Sequence, residues 1–147
     1  GAGISGDVAR RLLSVGVSVI DVAGAGGTSW SKVENERKAD SRSTAMFNEW
    51  GIPTVTCIRE AVQLREQFRF DIIASGGIRG ASDIVKSICL GADFTASARP
   101  VIQALMDGGE ENLRNLIKLW KEQTATILAL LGKQTLQECS LKDLGNK

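Results

Sequence analysis

The sequence contains no histidine, and aromatic residues make up only 5% of its 147 residues. Without histidine, the chain cannot itself supply an imidazole base, a Ser-His-Asp triad or a histidine-bound metal. Its three cysteines are odd in number and lack CxxC spacing, which favours reduced thiols over a disulfide framework or a zinc site. Histidine-based catalysis is therefore excluded for this chain.

The sequence also has no large excess of positive or negative charge and no long apolar run. Lys and Arg number 18 against 17 Asp and Glu, so the net charge of +1 provides no field for a nucleic acid or an anionic membrane. No apolar run approaches the ~20 residues that span a bilayer. The chain opens on Gly1 with no basic-then-apolar leader. We therefore expect no nucleic-acid partner, no membrane partner and a cytoplasmic location.

Short apolar segments rich in β-branched residues alternate with helical patterns, and glycines separate them. The predicted strands are 17–22, 52–57, 71–75 and 94–97. The predicted helices are 6–13, 43–50, 60–68, 83–90 and 110–131, with one more short helix in 135–144. Ser5 and Ser82 are the predicted N-caps, and Gly16 the predicted C-terminal stop. The stretch 32–42 is highly charged and predicts a surface excursion.

This alternation predicts an α/β fold with a parallel sheet covered on both faces. About four βα units are present, which is half of a (β/α)8 barrel, since a whole barrel takes about 250 residues. A small doubly wound sheet fits the same pattern. In either architecture, ligands bind at the carboxyl ends of the strands.

Three predicted strand ends are small or polar in sequence, at 23–29, 75–79 and 96–99. Gly76 and Gly77 before a helix allow backbone amides to approach an anion, and Arg79 can add a forked contact to a phosphate. An ordinary tight turn with a solvated Arg79 explains the same residues equally well.

The glycine-rich loop after the first strand allows a planar ligand to lie close to the backbone, with Thr28 as a hydrogen-bonding group. The alternative is a mobile glycine loop in which Trp30 packs as a surface anchor. Asp21 fits a structural or supporting carboxylate better than a reacting one. Nothing in the sequence near Cys57 favours a reactive thiolate.

Several segments, in order and spacing, resemble type 2 isopentenyl-diphosphate Δ-isomerase. They are 20–30 (IDVAGAGGTSW), 50–54 (WGIPT), 73–79 (IASGGIR) and 98–100 (ARP). The first string is highly specific, whereas SGGIR is shared by many flavin-dependent barrels. The resemblance extends over nearly the whole chain.

The resemblance implies a (β/α)8-barrel enzyme of isoprenoid biosynthesis that binds FMN and Mg²⁺ and is reduced by NADPH. Such an enzyme interconverts isopentenyl and dimethylallyl diphosphate. The residues that the resemblance assigns to FMN are Thr28, Gly77, Ile78, Arg79, Ala96 and Ser97. The last five are expected around the phosphate. Ala23 stands where the family often has a serine that contacts the flavin.

The resemblance also implies that residues 1–147 are a single domain, the C-terminal half of a barrel on its FMN-phosphate side, without the N-terminal half. Catalytic and metal-binding residues are expected upstream, and none is assigned in this chain. We expect the chain to be inactive alone and to form homo-oligomers or associate with the missing half. The alternatives are another FMN-dependent barrel oxidoreductase and a non-catalytic, phosphate-binding half-barrel. The absence of histidine disfavours the related hydroxy-acid oxidases.

Overall fold

The computed structural model describes residues 2–38 and 44–145, in which a parallel sheet is packed against helices. The strands are β1 (Val19–Asp21), β2 (Asp71–Ala74) and β3 (Phe94–Thr95). The α-helices are α1 (Gly6–Ser14), α2 (Trp30–Glu36), α3 (Thr54–Gln63), α4 (Ala81–Cys89) and α5 (Arg99–Leu130). Short 3-10 helices cover Ala45–Phe47, Leu64–Glu66, Leu136–Glu138 and Leu141–Leu144.

The three strands are parallel and lie in the order β1-β2-β3. Ile20 of β1 pairs with Ile72 of β2, and Ile73 of β2 pairs with Phe94 of β3. Ile20 and Ile72 are at most 2% exposed, because α1 and α3 contribute to the core that covers them. The α/β prediction with a parallel sheet is confirmed.

The caps of the helices agree with the sequence at α1 and differ at α4. The Ser5 side chain accepts a hydrogen bond from the Val8 amide at 3.3 Å, and Gly16 after the helix has φ of +96°, as the sequence predicts. The prediction that Ser82 caps the next helix is wrong. Gly80 is extended with φ of 177°, so α4 already begins at Ala81 and has no side-chain cap.

The predicted strand at 52–57 is also wrong. A single parallel bridge joins Ala25 and Pro53, and α3 begins at Thr54. The helical turn places Cys57, Ile58 and Ala61 together in the core, each at most 2% exposed. Burial of this face outweighs the weak strand preference of a β-branched run. The sheet therefore contains three strands, and the described residues do not form four complete βα units.

Several other boundaries also differ from the predictions. The predicted helix at 43–50 is the 3-10 helix Ala45–Phe47, and Ser43 lies outside the described residues. The charged stretch predicted as an excursion begins inside α2. Helix α5 starts at Arg99 and has non-helical angles at Gly108 and Gly109, where it kinks.

The tail holds two 3-10 helices rather than one short helix. Among residues 2–38 and 44–145, no helix is long and apolar enough to cross a membrane.

Candidate functional site

The carboxyl ends of the three strands surround one cavity of about 550 Å³. It brings together all six residues assigned to a cofactor from the sequence, together with parts of the loops on which they lie. The lining residues are Asp21, Gly26, Gly27, Thr28, Ser75, Gly76, Gly77, Ile78, Arg79, Ala96, Ser97, Ala98, Arg99, Pro100 and Gln103. The site is therefore shared by the segments that follow β1, β2 and β3.

The loops after β1 and β2 pack directly on each other through glycine backbones. The Gly24 amide donates to the Ser75 carbonyl at 3.0 Å. A Cβ added to Gly76 would lie 1.9 Å from the Gly24 carbonyl oxygen, and one added to Gly77 would lie 2.7 Å from the Gly26 oxygen. Gly76 and Gly77 also have φ of +93° and +87°, which other residues rarely adopt. Glycine is thus required here by conformation and by space.

Thr54 braces this pair of loops from the start of α3. Its Oγ1 donates to the Gly76 carbonyl at 2.6 Å and also lies 3.3 Å from the Ser75 carbonyl. The early start of α3, which the sequence analysis missed, is what brings this hydroxyl under the β2 loop. The N-terminus of α3 therefore helps to hold one wall of the cavity.

The loop after β3 is fixed to the loop after β2 by a side chain. Ser97 Oγ donates to the Ile78 carbonyl at 2.6 Å. The Arg79 amide donates to Asp83 Oδ2 at 3.0 Å, and the Arg79 Nε lies 3.7 Å from the same oxygen. The Arg79 side chain remains 78% exposed, so its guanidinium can still turn toward a ligand. These bonds place a cation beside two ordered loops.

The lining of the cavity favours an anion. Its charged side chains are two arginines, Arg79 and Arg99, and one aspartate, Asp21. Among the described residues, the amides of Gly77 and Ile78 donate to no protein acceptor. Helix α5 also begins at this cavity, and a helix N-terminus attracts negative charge. Two guanidinium groups with available amides are a donor set that suits a phosphate.

Asp21 stabilises the turn that follows β1 through two hydrogen bonds. Its Oδ1 accepts a hydrogen bond from the Ala23 amide at 3.1 Å and another from Ser75 Oγ. Ala23 has φ of +42°, the only positive value of a non-glycine residue in the described part of the chain. The carboxylate therefore holds the turn that redirects the chain from β1 into the glycine loop, which agrees with a supporting role.

A second cavity of about 470 Å³ adjoins the first across Gly26, Gly27 and Thr28. Trp30 and Trp50 line it and are 69% and 67% exposed, so Trp30 is not the packed anchor considered from the sequence. This cavity was not predicted from the sequence, although Trp50 of the WGIPT segment lines it.

Two further expectations concern reactive groups. Cys57 is fully buried, and burial raises the pKa of its thiol, which agrees with the absence of a reactive thiolate. Among residues 2–38 and 44–145, no group of three or more His, Cys, Asp or Glu side chains could hold a metal ion.

Comparison with protein families finds one matching profile, FMN-dependent dehydrogenase, over residues 4–146. Among curated proteins, the chain is 45% identical over 151 residues to "Isopentenyl-diphosphate delta-isomerase" of Chlorobium luteolum, covering 94% of this chain and 41% of that protein. It is 44% identical over 138 residues to the protein of the same name from Methanothermobacter thermautotrophicus, covering 94% and 38%. The chain thus spans about two fifths of these relatives.

Solved structures resemble the fold more distantly. A mutant flavocytochrome b2 with pyruvate bound has a TM-score of 0.71 at 18% identity, over 95% of this chain and 33% of that one. Mandelate oxidase with benzoyl-formic acid has a TM-score of 0.68 at 23% identity, over 91% and 35%. At these identities the similarity shows the fold alone: an α/β unit that corresponds to part of a larger chain.

Proposed function

The chain belongs to the FMN-dependent dehydrogenase family, and on that premise we propose that its cavity binds FMN. The phosphate is held by Gly77, Ile78 and Arg79 on one side and by Ala96 and Ser97 on the other. Thr28, on the opposite loop, offers a hydroxyl to the flavin. The single observation that carries the proposal is that these six residues, from three separate loops, line one cavity.

The residues present fit the cofactor. A volume of about 550 Å³ lies within the usual range for ligand sites. Amides without protein acceptors, two arginines and a helix N-terminus suit a phosphate dianion. The backbones of Gly26 and Gly27 form an opposite wall that a flat ring can approach closely. Ala23 has no hydroxyl to offer, so Thr28 is the polar side chain that we assign on this loop.

For the whole protein we propose isopentenyl-diphosphate isomerase activity, interconverting isopentenyl and dimethylallyl diphosphate in isoprenoid biosynthesis. The curated relatives that carry this name, at 38–45% identity, support it. Reduced FMN, with NADPH as reductant, supplies acid-base chemistry there. We assign Mg²⁺, the diphosphate contacts and the catalytic groups to the part of the protein that the relatives have in addition to this segment.

Within that reaction, the residues of this chain bind and orient. Arg79 and the available amides would hold the phosphate end of the cofactor, and Thr28 on the β1 loop would contact its flavin. The Asp21–Ser75 hydrogen bond keeps the β1 and β2 loops in register at the cavity. The chain alone is therefore expected to hold cofactor without turning over substrate.

We also propose that the open sides of the sheet are completed by the remaining strands of a barrel. Phe94 in the last strand and Val19 in the first are 56% and 44% exposed, although both are apolar strand residues. Strand edges with apolar side chains favour pairing with further strands. Light scattering tests this: the chain alone is expected to self-associate, and adding the rest of a curated relative should replace self-association by a one-to-one complex.

The FMN proposal is tested by titrating the chain with FMN and following flavin fluorescence, with Arg79→Ala as the test variant. Arg114→Ala is the matched control, because Arg114 is 74% exposed and pairs with Glu110 four residues away, as Arg79 pairs with Asp83. Loss of a charged hydrogen bond of about 1.5 kcal/mol should weaken FMN binding about tenfold in the first variant. Equal affinities for the two variants would contradict the assignment.

The activity is tested by adding the rest of a curated relative and supplying isopentenyl diphosphate under reducing conditions. Formation of dimethylallyl diphosphate without net consumption of an electron acceptor supports the isomerase. Oxidation of another substrate with reduction of an acceptor would favour the alternative oxidoreductase. If the completed protein retains no FMN and converts neither substrate, the alternative of a non-catalytic, phosphate-binding half-barrel is favoured.

A further inference from the structure

Two of the three cysteines meet where the C-terminal tail lies on the body of the protein. Cys89 is the last residue of α4 and is 3% exposed. Cys139 follows the 3-10 helix Leu136–Glu138 and is partly exposed. Helix α4 contacts both 3-10 helices of the tail, and Cys139 lies between these two helices. The Cys139 side chain is close enough to the Cys89 thiol to raise its pKa. Two cysteines that are distant in sequence therefore lie at the same contact between α4 and the tail.

We propose that Cys89 and Cys139 are a redox modification site, at which a reversible disulfide fastens the C-terminal tail to α4. The reduced pair described here is the open form of that site. The proposal is independent of FMN binding, because neither cysteine lines the cavity at the strand ends.

The oxidant that we assign is a low-molecular-weight disulfide such as oxidised glutathione. The Cys139 thiolate attacks one sulfur of the disulfide, the glutathione S–S bond breaks, and one glutathione thiolate leaves. Cys89 sulfur then attacks the Cys139 sulfur of the mixed disulfide and releases the second glutathione. Two electrons pass from the protein to the oxidant, and the two thiol protons end on two molecules of glutathione.

The order of these steps follows from the surroundings of the two thiols. Burial is the main cause that raises the pKa of Cys89 to about 11, and the neighbouring Cys139 raises it further. Cys89 is thus protonated and shielded at neutral pH, so the first attack belongs to the partly exposed Cys139. Cys89 reacts only after the mixed disulfide has formed beside it.

The tail can adjust to the geometry of a disulfide, which requires the Cα atoms to lie within about 7 Å. Neither of its 3-10 helices contains a buried residue. Its contacts include the Lys133–Asp143 ion pair at 3.5 Å and hydrogen bonds around Ser140. Cys57 is not an alternative partner, because it is fully buried in α3, where its Sγ lies 3.6 Å from the Ile52 carbonyl.

The test is oxidation of the native chain in glutathione buffers, followed by alkylation, trypsin digestion without reductant and mass spectrometry. Cleavage at lysine and arginine places Cys89 in peptide 87–114, Cys139 in 134–142 and Cys57 in 43–59. The expected product is a cross-link between the first two peptides, about 2 Da lighter than their sum. Cys139→Ser should abolish it. Cys57→Ser should leave it unchanged, since serine can keep the hydrogen bond to Ile52.

A sample oxidised in urea, where all three thiols are free to pair, provides the reference for unselective pairing. The proposal would be overturned if the native chain gave the same distribution of cross-links as the urea sample, or a cross-link that contains peptide 43–59. Complete alkylation of both Cys89 and Cys139 after oxidation would also overturn it. A functional readout accompanies the mapping: in the oxidised chain, proteolytic release of the tail after Lys133 should slow at least about tenfold without reductant. Unchanged release would refute the fastening of the tail.

Discussion

Replacing Gly76 by alanine tests the packing of the two glycine loops that form the candidate site. The added Cβ would lie 1.9 Å from the Gly24 carbonyl oxygen, far inside van der Waals contact. The same glycine has φ of +93°. Either the β1 loop moves away by more than about 1 Å, or the β2 loop adopts another conformation. Both outcomes separate the walls of the cavity.

The magnitude follows from comparison with Gly16→Ala. Gly16 has φ of +96°, and a Cβ there meets nothing within 4 Å, so this control isolates the conformational cost. That cost is about 1 kcal/mol, a left-handed penalty of about 1–2 kcal/mol reduced by a gain of about 0.4–1 kcal/mol from a stiffer unfolded chain. At Gly76 overpacking adds at least about 2 kcal/mol, for a total loss near 3 kcal/mol.

Urea unfolding followed by far-UV circular dichroism measures both variants, and the difference between their free energies of unfolding is the quantity of interest. We expect Gly76→Ala to be at least about 2 kcal/mol less stable than Gly16→Ala. Its FMN affinity should also fall, whereas that of the control should not. Two variants of equal stability, with equal dependence on urea, would refute the close approach of the β1 and β2 loops.

Three further variants test individual interactions. Ser97→Ala removes the 2.6 Å hydrogen bond to the Ile78 carbonyl, so the free energy of unfolding should fall by about 1 kcal/mol and FMN should bind more weakly. Unchanged stability and affinity would exclude a role for this hydrogen bond. Ala23→Gly relieves φ of +42° and should leave urea stability equal or up to about 1 kcal/mol higher, and a clear loss would contradict the strain. The amide of Ser140 is the main cause that lowers the pKa of Asp143. The ionised Asp143 stabilises the folded chain fully at pH values above the unfolded pKa, and this stabilisation is lost as pH falls through the folded pKa. Thermal unfolding at decreasing pH should therefore show this loss of stability in the parent and not in Asp143→Asn.

Features with a local physical cause could be predicted from the sequence. The Ser5 cap and the Gly16 stop depend on one or two neighbouring residues, and both are present. The strand around Ile72 was predictable because a buried parallel strand reads as a continuous apolar run. The glycine pair before α4 predicted that another group approaches the backbone closely there. It did not predict that this group is the backbone of the β1 loop. Predicting that three loops converge on one cavity required two things: the order of strands in a parallel sheet and the resemblance to a flavin-binding family.

Features decided by distant contacts could not be predicted in the same way. Residues 52–57 carry a β-branched pattern, and only the buried positions of Cys57 and Ile58 against the sheet show why they turn into α3. The start of α4 depends on the extended conformation of Gly80 rather than on the capping preference of Ser82. The second cavity, with its two exposed tryptophans, arises only when the β1 loop and the segment before α3 meet.

The contacts that shape the proposed phosphate site lie where three neighbouring strands end. The hydrogen bonds that hold these loops join them to each other, to Thr54 at the start of α3, and to Gly3 and Ile52. The three strands are adjacent in the sheet, so their carboxyl ends meet at one edge. For the isomerase proposed above, we expect the donors for a diphosphate and its metal on other strands of the barrel. On that proposal, cofactor affinity and catalysis are expected to separate: the chain alone should bind FMN, and isomerase activity should require the completed barrel.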